Sequence, residues 1–146
     1  AVSLHSARDE VRDKLVPLNK KYPIAELLNA CRRFAKADSS RYITFEHVMI
    51  KGINDSESDA FKLAQLLIDL PAKINLIPYN SITGATYECS STRTINRFRE
   101  ILIGEGIFTI TRKTRGDDLA AACGQLAGDF VDRTKRSLKY EVESIS

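Results

Sequence analysis

The residue with the strongest potential for chemistry is a cysteine placed among small residues and preceded by cations. Cys123 lies between Ala122 and Gly124, within residues 112–129, RKTRGDDLAAACGQLAGD. Neighbouring cations lower the pKa of a thiol, and small neighbours leave room for a bulky partner to reach the sulfur. A lone cysteine is more often a small buried hydrophobe. Both interpretations of Cys123 stay open on the residues alone.

Two further positions carry groups that could bind a ligand. SLHS places the hydroxyl of Ser3 and the imidazole of His5 at the end of an apolar segment, where His5 could act as an acid, a base or a hydrogen-bonding group. Asn80 ends INLIPYN, and its amide could both donate to and accept from a nucleoside-like ligand. The alternatives are a histidine and serine that satisfy loop backbone, and a turn-forming asparagine.

Three cations directly precede the cysteine segment. Arg112, Lys113 and Arg115 could clamp phosphates or lower the pKa of a nearby thiol. A solvated edge strand is the alternative, because edge strands often carry Lys and Arg. Asp117 and Asp118 oppose part of this charge, so the stretch is not a plain basic patch.

Hydrophobic periodicity indicates the elements that would position these groups. The pattern predicts strands at 1–5, 42–50, 73–78 and 107–113, and helices at 24–36, 57–70 and 92–104. This alternation favours an α/β fold with parallel strands and outer helices. In such folds chemistry gathers at the carboxyl ends of the strands. The informative polar residues follow these ends: Ser3, His5, Lys51, Asn54, Asn75, Asn80, Arg112, Lys113 and Arg115.

Composition is that of one compact globular unit without a membrane span. The chain has 146 residues, 43% of them hydrophobic, and a formal net charge of +3 that permits an anionic partner without requiring one. No CxxC pair occurs, and the odd number of cysteines fits a reducing, cytoplasmic compartment. Cys31 falls on the predicted apolar stripe of its helix with Ile24, Leu27, Leu28 and Phe34, so it is assigned to the core. A start without Met, in an apolar segment, suggests a piece of a longer protein.

Four segments, in this order and spacing, resemble one enzyme family. SLH, LVPLNKKYP, KINLIPYN and RKTRGDDLAAACGQLAG are similar to the C-terminal part of the radical-SAM adenine-C2 RNA methyltransferases, the RlmN family. The likeness extends from residue 1 to about residue 136, and the last segment is highly specific.

The resemblance implies a fold, an activity and two cofactors. The fold would be the C-terminal part of an incomplete (β/α) barrel over residues 1–128, followed by a weakly helical tail at 129–146. The activity would be methylation of carbon 2 of adenine in 23S rRNA and tRNA, using S-adenosylmethionine and a 4Fe-4S cluster supplied with electrons by a reductant. No membrane partner is implied.

The resemblance also implies roles for individual residues. Cys123 would carry the methyl group as S-methylcysteine before it passes to adenine, and a second cysteine, upstream of anything in this chain, would resolve the protein–RNA adduct. Ser3, Leu4, His5 and Asn80 match the family's positions that contact S-adenosylmethionine.

The chain departs from the family in what it lacks. It has no CxxxCxxC cluster motif, no resolving cysteine and no glycine-rich cofactor strand, so this chain alone is expected to be inactive. After Asn80 the family tends to have a proline-rich loop, where this chain has SITGATYE. Two other functions remain open. One is a non-catalytic RNA-binding or regulatory fragment, which needs no iron, and the other is a thiol enzyme using Cys123 with His5, which needs no S-adenosylmethionine.

Overall fold

The fold is a parallel β-sheet whose buried face packs against helices. The computed structural model describes residues 1–80 and 86–113. The strands are β1 (Val2–Ser3), β2 (Ile43–Met49), β3 (Ala72–Pro78) and β4 (Phe108–Thr111), and the helices are α1 (Asp9–Leu15), α2 (Ile24–Ala37), α3 (Glu57–Leu67) and α4 (Thr92–Gly104), with a 3₁₀ turn at Pro17–Lys20. The strand order is β1-β2-β3-β4, and every pairing is parallel. The predicted α/β class with parallel strands is therefore confirmed.

The core lies between the sheet and the helices. Alternate residues of β2 are buried, starting at Ile43 and ending at Met49, whereas those between them are only half-buried. One member of the buried row, His47, stacks on Phe98 of α4 with ring centroids 5.0 Å apart. The half-buried face of the sheet is consequently the one turned away from the helices, which in a barrel is the interior.

The two central helices begin where serine side chains cap them. Ser56 accepts a hydrogen bond from the Asp59 N–H, and the Asp59 carboxylate accepts one from the Ser56 N–H, which completes a capping box for α3. Ser91 caps α4 by accepting from the Thr94 N–H. Ser56 and Ser91 are therefore the residues at which the two helices begin.

Some boundaries and one core assignment differ from the sequence predictions. β1 is two residues long because His5 has a φ of 60°, a left-handed conformation that ends an extended strand. α3 ends at Leu67 rather than at residue 70. Phe34 was predicted on the buried stripe of α2, but it is 44% exposed and the Arg41 guanidinium lies over its ring.

Several predictions lie outside the described residues. They are the structural setting of Cys123 and of Arg115, the loop that follows residue 80, and the proposed boundary between residues 128 and 129. Within residues 1–80 and 86–113, no helix is long and apolar enough to cross a membrane.

Candidate functional site

The carboxyl edge of the sheet gathers most of the predicted site residues. Ser3 ends β1 and His5 follows it, Asn80 follows β3, and Arg112 and Lys113 follow β4. Because all four strands are parallel, these positions share one edge. Neighbouring strands lie about 5 Å apart, so β1 and β3 are separated by roughly 10 Å at this edge.

His5 is held at this edge through one ring nitrogen and its backbone. Its Nδ1 accepts a hydrogen bond from the Val48 N–H at 3.0 Å, and its own N–H donates to the Glu46 carbonyl at 3.1 Å. The ring is half-buried, and Nε2 has no hydrogen-bond partner among residues 1–80 and 86–113. Nε2 of His5 is therefore available to form a hydrogen bond with a ligand.

Burial keeps the His5 imidazole neutral. It lowers the pKa of His5 below its ordinary value, and the positive charge of Arg12 lowers it further. A neutral imidazole whose Nδ1 accepts a hydrogen bond carries its proton on Nε2. The group presented at the edge is thus a hydrogen-bond donor.

Ser3 and Leu4 are fixed by an arginine from α1. The Arg12 guanidinium donates from Nη2 to the Ser3 carbonyl at 2.9 Å and from Nε to the Leu4 carbonyl at 2.8 Å. The Leu4 side chain is fully buried and its N–H donates to the Glu46 carbonyl. Leu4 thus anchors the strand end in the core, while the exposed Ser3 keeps its hydroxyl available.

Arg12 is itself held by a polar cluster beneath the strand end. Its Nη1 donates to Asn19 Oδ1 at 2.7 Å, and Asn19 Nδ2 donates to Asp9 Oδ1 at 3.0 Å and to Asp13 Oδ1 at 2.7 Å. Both Arg12 and Asn19 are buried. Burial lowers the pKa of Arg12 and Asp9 partly opposes this, yet a guanidinium remains charged in proteins. The sequence reasoning missed this cluster, which the segment DEVRD…LN encodes.

Asn54 joins the ends of β1 and β2. Its Nδ2 donates to the His5 carbonyl at 2.8 Å and to the Val48 carbonyl at 2.7 Å, and its Oδ1 accepts from the Ile50 N–H at 3.0 Å. Its carbonyl receives the Nε2–H of His47 at 3.2 Å. The sequence indicated Asn54 only as a polar residue at a strand end, whereas in the structure it is fully buried and supports His5.

Asn80, Arg112 and Lys113 lie at the same edge and are wholly or partly open to solvent. Asn80 and Lys113 are exposed, and Arg112 is half-buried with its N–H donating to the Leu76 carbonyl at 2.7 Å. None of their side chains has a hydrogen-bond or ion-pair partner within the described part of the chain. β4 pairs only with β3 among the described strands, so the edge-strand interpretation and the binding interpretation of these cations both stay open.

A polar row crosses the inner face of the sheet. The register aligns Ser3 with Glu46, Glu46 with Asn75, and Asn75 with Ile110. Asn75 was predicted at a strand end, but it lies within β3, and its Oδ1 is buried without a partner in the described part of the chain. The polar members of this row, Ser3, Glu46 and Asn75, thus lie on the face of the sheet turned away from the helices.

The described residues contain no metal site. No group of three or more His, Cys, Asp or Glu side chains that could hold an ion occurs in residues 1–80 and 86–113. Cys31 is buried in α2, and burial raises the pKa of its thiol, which agrees with its assignment to the core.

Comparison with solved structures adds to this geometry. The chain is 48% identical to a radical SAM methyltransferase from Sphaerobacter thermophilus, with a TM-score of 0.75 over 85% of this chain. The fold is that of a partial radical SAM barrel. The match covers 36% of that methyltransferase, so the chain spans about a third of its length. No protein-family model matches the chain.

A second solved structure supports the fold alone. A domain of pyruvate-formate lyase-activating enzyme from Bacteroides vulgatus ATCC 8482 shares 24% identity and a TM-score of 0.61, covering 76% of this chain and 65% of that one. The partial barrel is therefore common to proteins that differ widely in sequence.

Proposed function

We propose that this chain is part of a radical SAM RNA methyltransferase that acts in the cytoplasm on carbon 2 of adenine in 23S rRNA and tRNA. The methyl group would pass through Cys123 as S-methylcysteine. The 48% identity to a radical SAM methyltransferase over 85% of the chain is the observation that carries the methyltransferase part. The specific segment at 112–128 supports adenine-C2 as the target.

The carboxyl edge of the sheet fits S-adenosylmethionine. The Nε2–H of His5, the hydroxyl of Ser3 and the amide of Asn80 are polar groups without partners in the described part of the chain. Such groups match the carboxylate, ribose and adenine of the cofactor, which supplies the methyl group when bound. Within this chain, Ser3, His5 and Asn80 would bind and orient it.

A 4Fe-4S cluster would be held by other residues. The sequence has no CxxxCxxC motif, and residues 1–80 and 86–113 contain no metal-binding group. We propose that this chain contributes cofactor binding, RNA contact through Arg112, Lys113 and Arg115, and the thiol of Cys123.

Peptide mass spectrometry on the complete, cluster-loaded enzyme tests the role of Cys123. We expect one added methylene on Cys123 and none on Cys31 or Cys89, which serve as internal controls. Cys123→Ala should abolish adenine methylation while RNA binding survives. A Cys123→Ala enzyme that still methylates adenine would overturn the proposal, and a complete gene product without iron would favour the non-catalytic alternative.

Calorimetry with S-adenosylmethionine tests the cofactor site. Asn80→Ala should weaken binding by about 1–3 kcal/mol, the contribution of one or two hydrogen bonds, because the exposed amide has no structural partner to lose. Asn29→Ala on the exposed face of α2 is the matched control and should leave affinity unchanged. Equal affinity in the two variants would remove Asn80 from the site.

A further inference from the structure

We infer that Val48 and Asn54 hold His5 as a permanent Nε2–H donor. His5 then donates a hydrogen bond to an acceptor atom of its ligand and takes no proton from it. Val48 contributes its backbone N–H, and Asn54 is a positioning residue. The identity of the ligand as S-adenosylmethionine rests on the proposed function, whereas the state of the His5 ring does not.

The contact at Nδ1 selects the tautomer. The Val48 N–H can only donate, so His5 Nδ1 must keep its lone pair to accept this hydrogen bond at 3.0 Å. Protonation of Nδ1 would set two donors against each other and leave the Val48 N–H without a partner. A neutral ring then carries its proton on Nε2, the nitrogen without a partner in the described part of the chain.

Asn54 holds the backbone conformation that this contact needs. His5 has a φ of 60°, a left-handed conformation that is unfavourable for a residue with a Cβ atom. Nδ2 of Asn54 donates to the His5 carbonyl at 2.8 Å and simultaneously to the Val48 carbonyl at 2.7 Å. One buried amide thus fixes both the residue that bears the ring and the residue that donates to it.

Charged and titratable groups around His5 also favour the neutral ring. Arg12 lies on the α1 side and its charge opposes protonation of His5. On β2, the buried His47 interacts electrostatically with His5, but burial lowers the pKa of His47 to about 4 against the raising effect of the Asp59 carboxylate, so His47 is uncharged near neutral pH. Burial and the charge of Arg12 are what keep His5 a neutral donor near neutral pH. A carboxylate, a ribose oxygen or an unprotonated ring nitrogen of the ligand would be its partner.

The ring state is tested by two-bond ¹H–¹⁵N correlation spectra of the full chain labelled at histidine. The signals that disappear in His5→Gln belong to His5. We expect the Nε2–H pattern without ligand, unchanged as the pH passes the ordinary histidine pKa of about 6.5. An Nδ1–H pattern, or a doubly protonated ring at neutral pH, would overturn the inference.

Asn54→Asp tests positioning, because aspartate keeps the acceptor for the Ile50 N–H but loses the donor to the two carbonyls. We expect the single Nε2–H pattern of His5 to be lost. Asn29→Asp, the same change on the exposed face of α2, should preserve it. Retention of the wild-type pattern in a folded Asn54→Asp chain would refute the role of Asn54.

Substitution of His5 itself keeps the inference testable if Asn54→Asp fails to fold. His5→Gln retains an N–H donor near the position of Nε2, whereas His5→Phe removes it. With S-adenosylmethionine as the probe, we expect His5→Phe to weaken binding about tenfold, the worth of one hydrogen bond, and His5→Gln to weaken it less. Equal loss in both variants would contradict donation from Nε2. An Nε2–H ring in a complete enzyme that does not bind S-adenosylmethionine would refute the proposed function and leave the ring assignment standing.

Discussion

Replacing Arg12 by methionine would remove the guanidinium that holds the end of β1 while keeping most of its apolar stem. Arg12 is only 6% exposed, and its three hydrogen bonds reach the carbonyls of Ser3 and Leu4 and the side chain of Asn19. Methionine can make none of them. The substitution therefore tests whether this buried arginine supports the strand end that carries His5.

The expected loss of stability follows from the three acceptors left behind. A buried polar group without its partner costs about 1–3 kcal/mol, and the contacts to Leu4 and Asn19 are fully buried whereas that to Ser3 is partly open to water. Allowing for water at Ser3, the two fully buried acceptors give an expected fall in the free energy of unfolding of about 2–6 kcal/mol. Arg12→Lys should lose less, because an ammonium can reach some but not all of these acceptors.

Urea unfolding followed by circular dichroism measures this loss. The matched control is Arg32→Met on α2, where the arginine pairs with Asp69 and both side chains are about half exposed. An exposed pair of this kind contributes about 0–1 kcal/mol. A loss below about 1 kcal/mol for Arg12→Met, or an equal loss in the control, would refute the reasoning from buried acceptors.

The remaining predictions concern pH, reactivity and capping. Burial lowers the pKa of His47 to about 4, so the folded state binds this proton less readily than the unfolded state does. The contribution of His47 to the free energy of unfolding should be constant above about pH 6.5 and fall by about 3 kcal/mol as the pH drops from there to 4. In urea unfolding at a series of pH values, His47→Phe should remove most of this dependence. The Cys31 thiol, buried and with a raised pKa, should resist iodoacetamide at neutral pH in the native chain but react in urea, as mass spectrometry would record; fast native labelling would contradict its burial. Ser56→Ala should cost about 1 kcal/mol of unfolding free energy by removing the capping box of α3, whereas Ser39→Ala at an exposed position should cost nothing measurable.

Local sequence pattern predicted the order and type of the main elements. The alternation of apolar residues in 42–50 and 73–78 and the helical stripes of α3 and α4 depend on neighbours a few residues apart, so a single sequence contains that information. The parallel pairing of β2 with β3 followed because a helix lies between them. Phe34 was the exception: its spacing on α2 suits the core, but Cys31 and Ala35 are the residues of that turn that face the core, and Phe34 is 44% exposed.

The contacts that hold the candidate site in place depend on the tertiary structure. Asn54 contacts His5 across 49 residues of sequence, and the φ of 60° at His5 depends on contacts with β2 that no local pattern encodes. Arg12 sits in a charged segment typical of a solvated helix, and only the fold brings the carbonyls of Ser3 and Leu4 to its guanidinium. The sequence by itself determined which residues lie at the strand ends, because the apolar alternation of each strand shows where that strand stops. The tertiary structure decided which of them are buried and how His5 is oriented, because hydrogen bonds between distant segments form only when the sheet assembles.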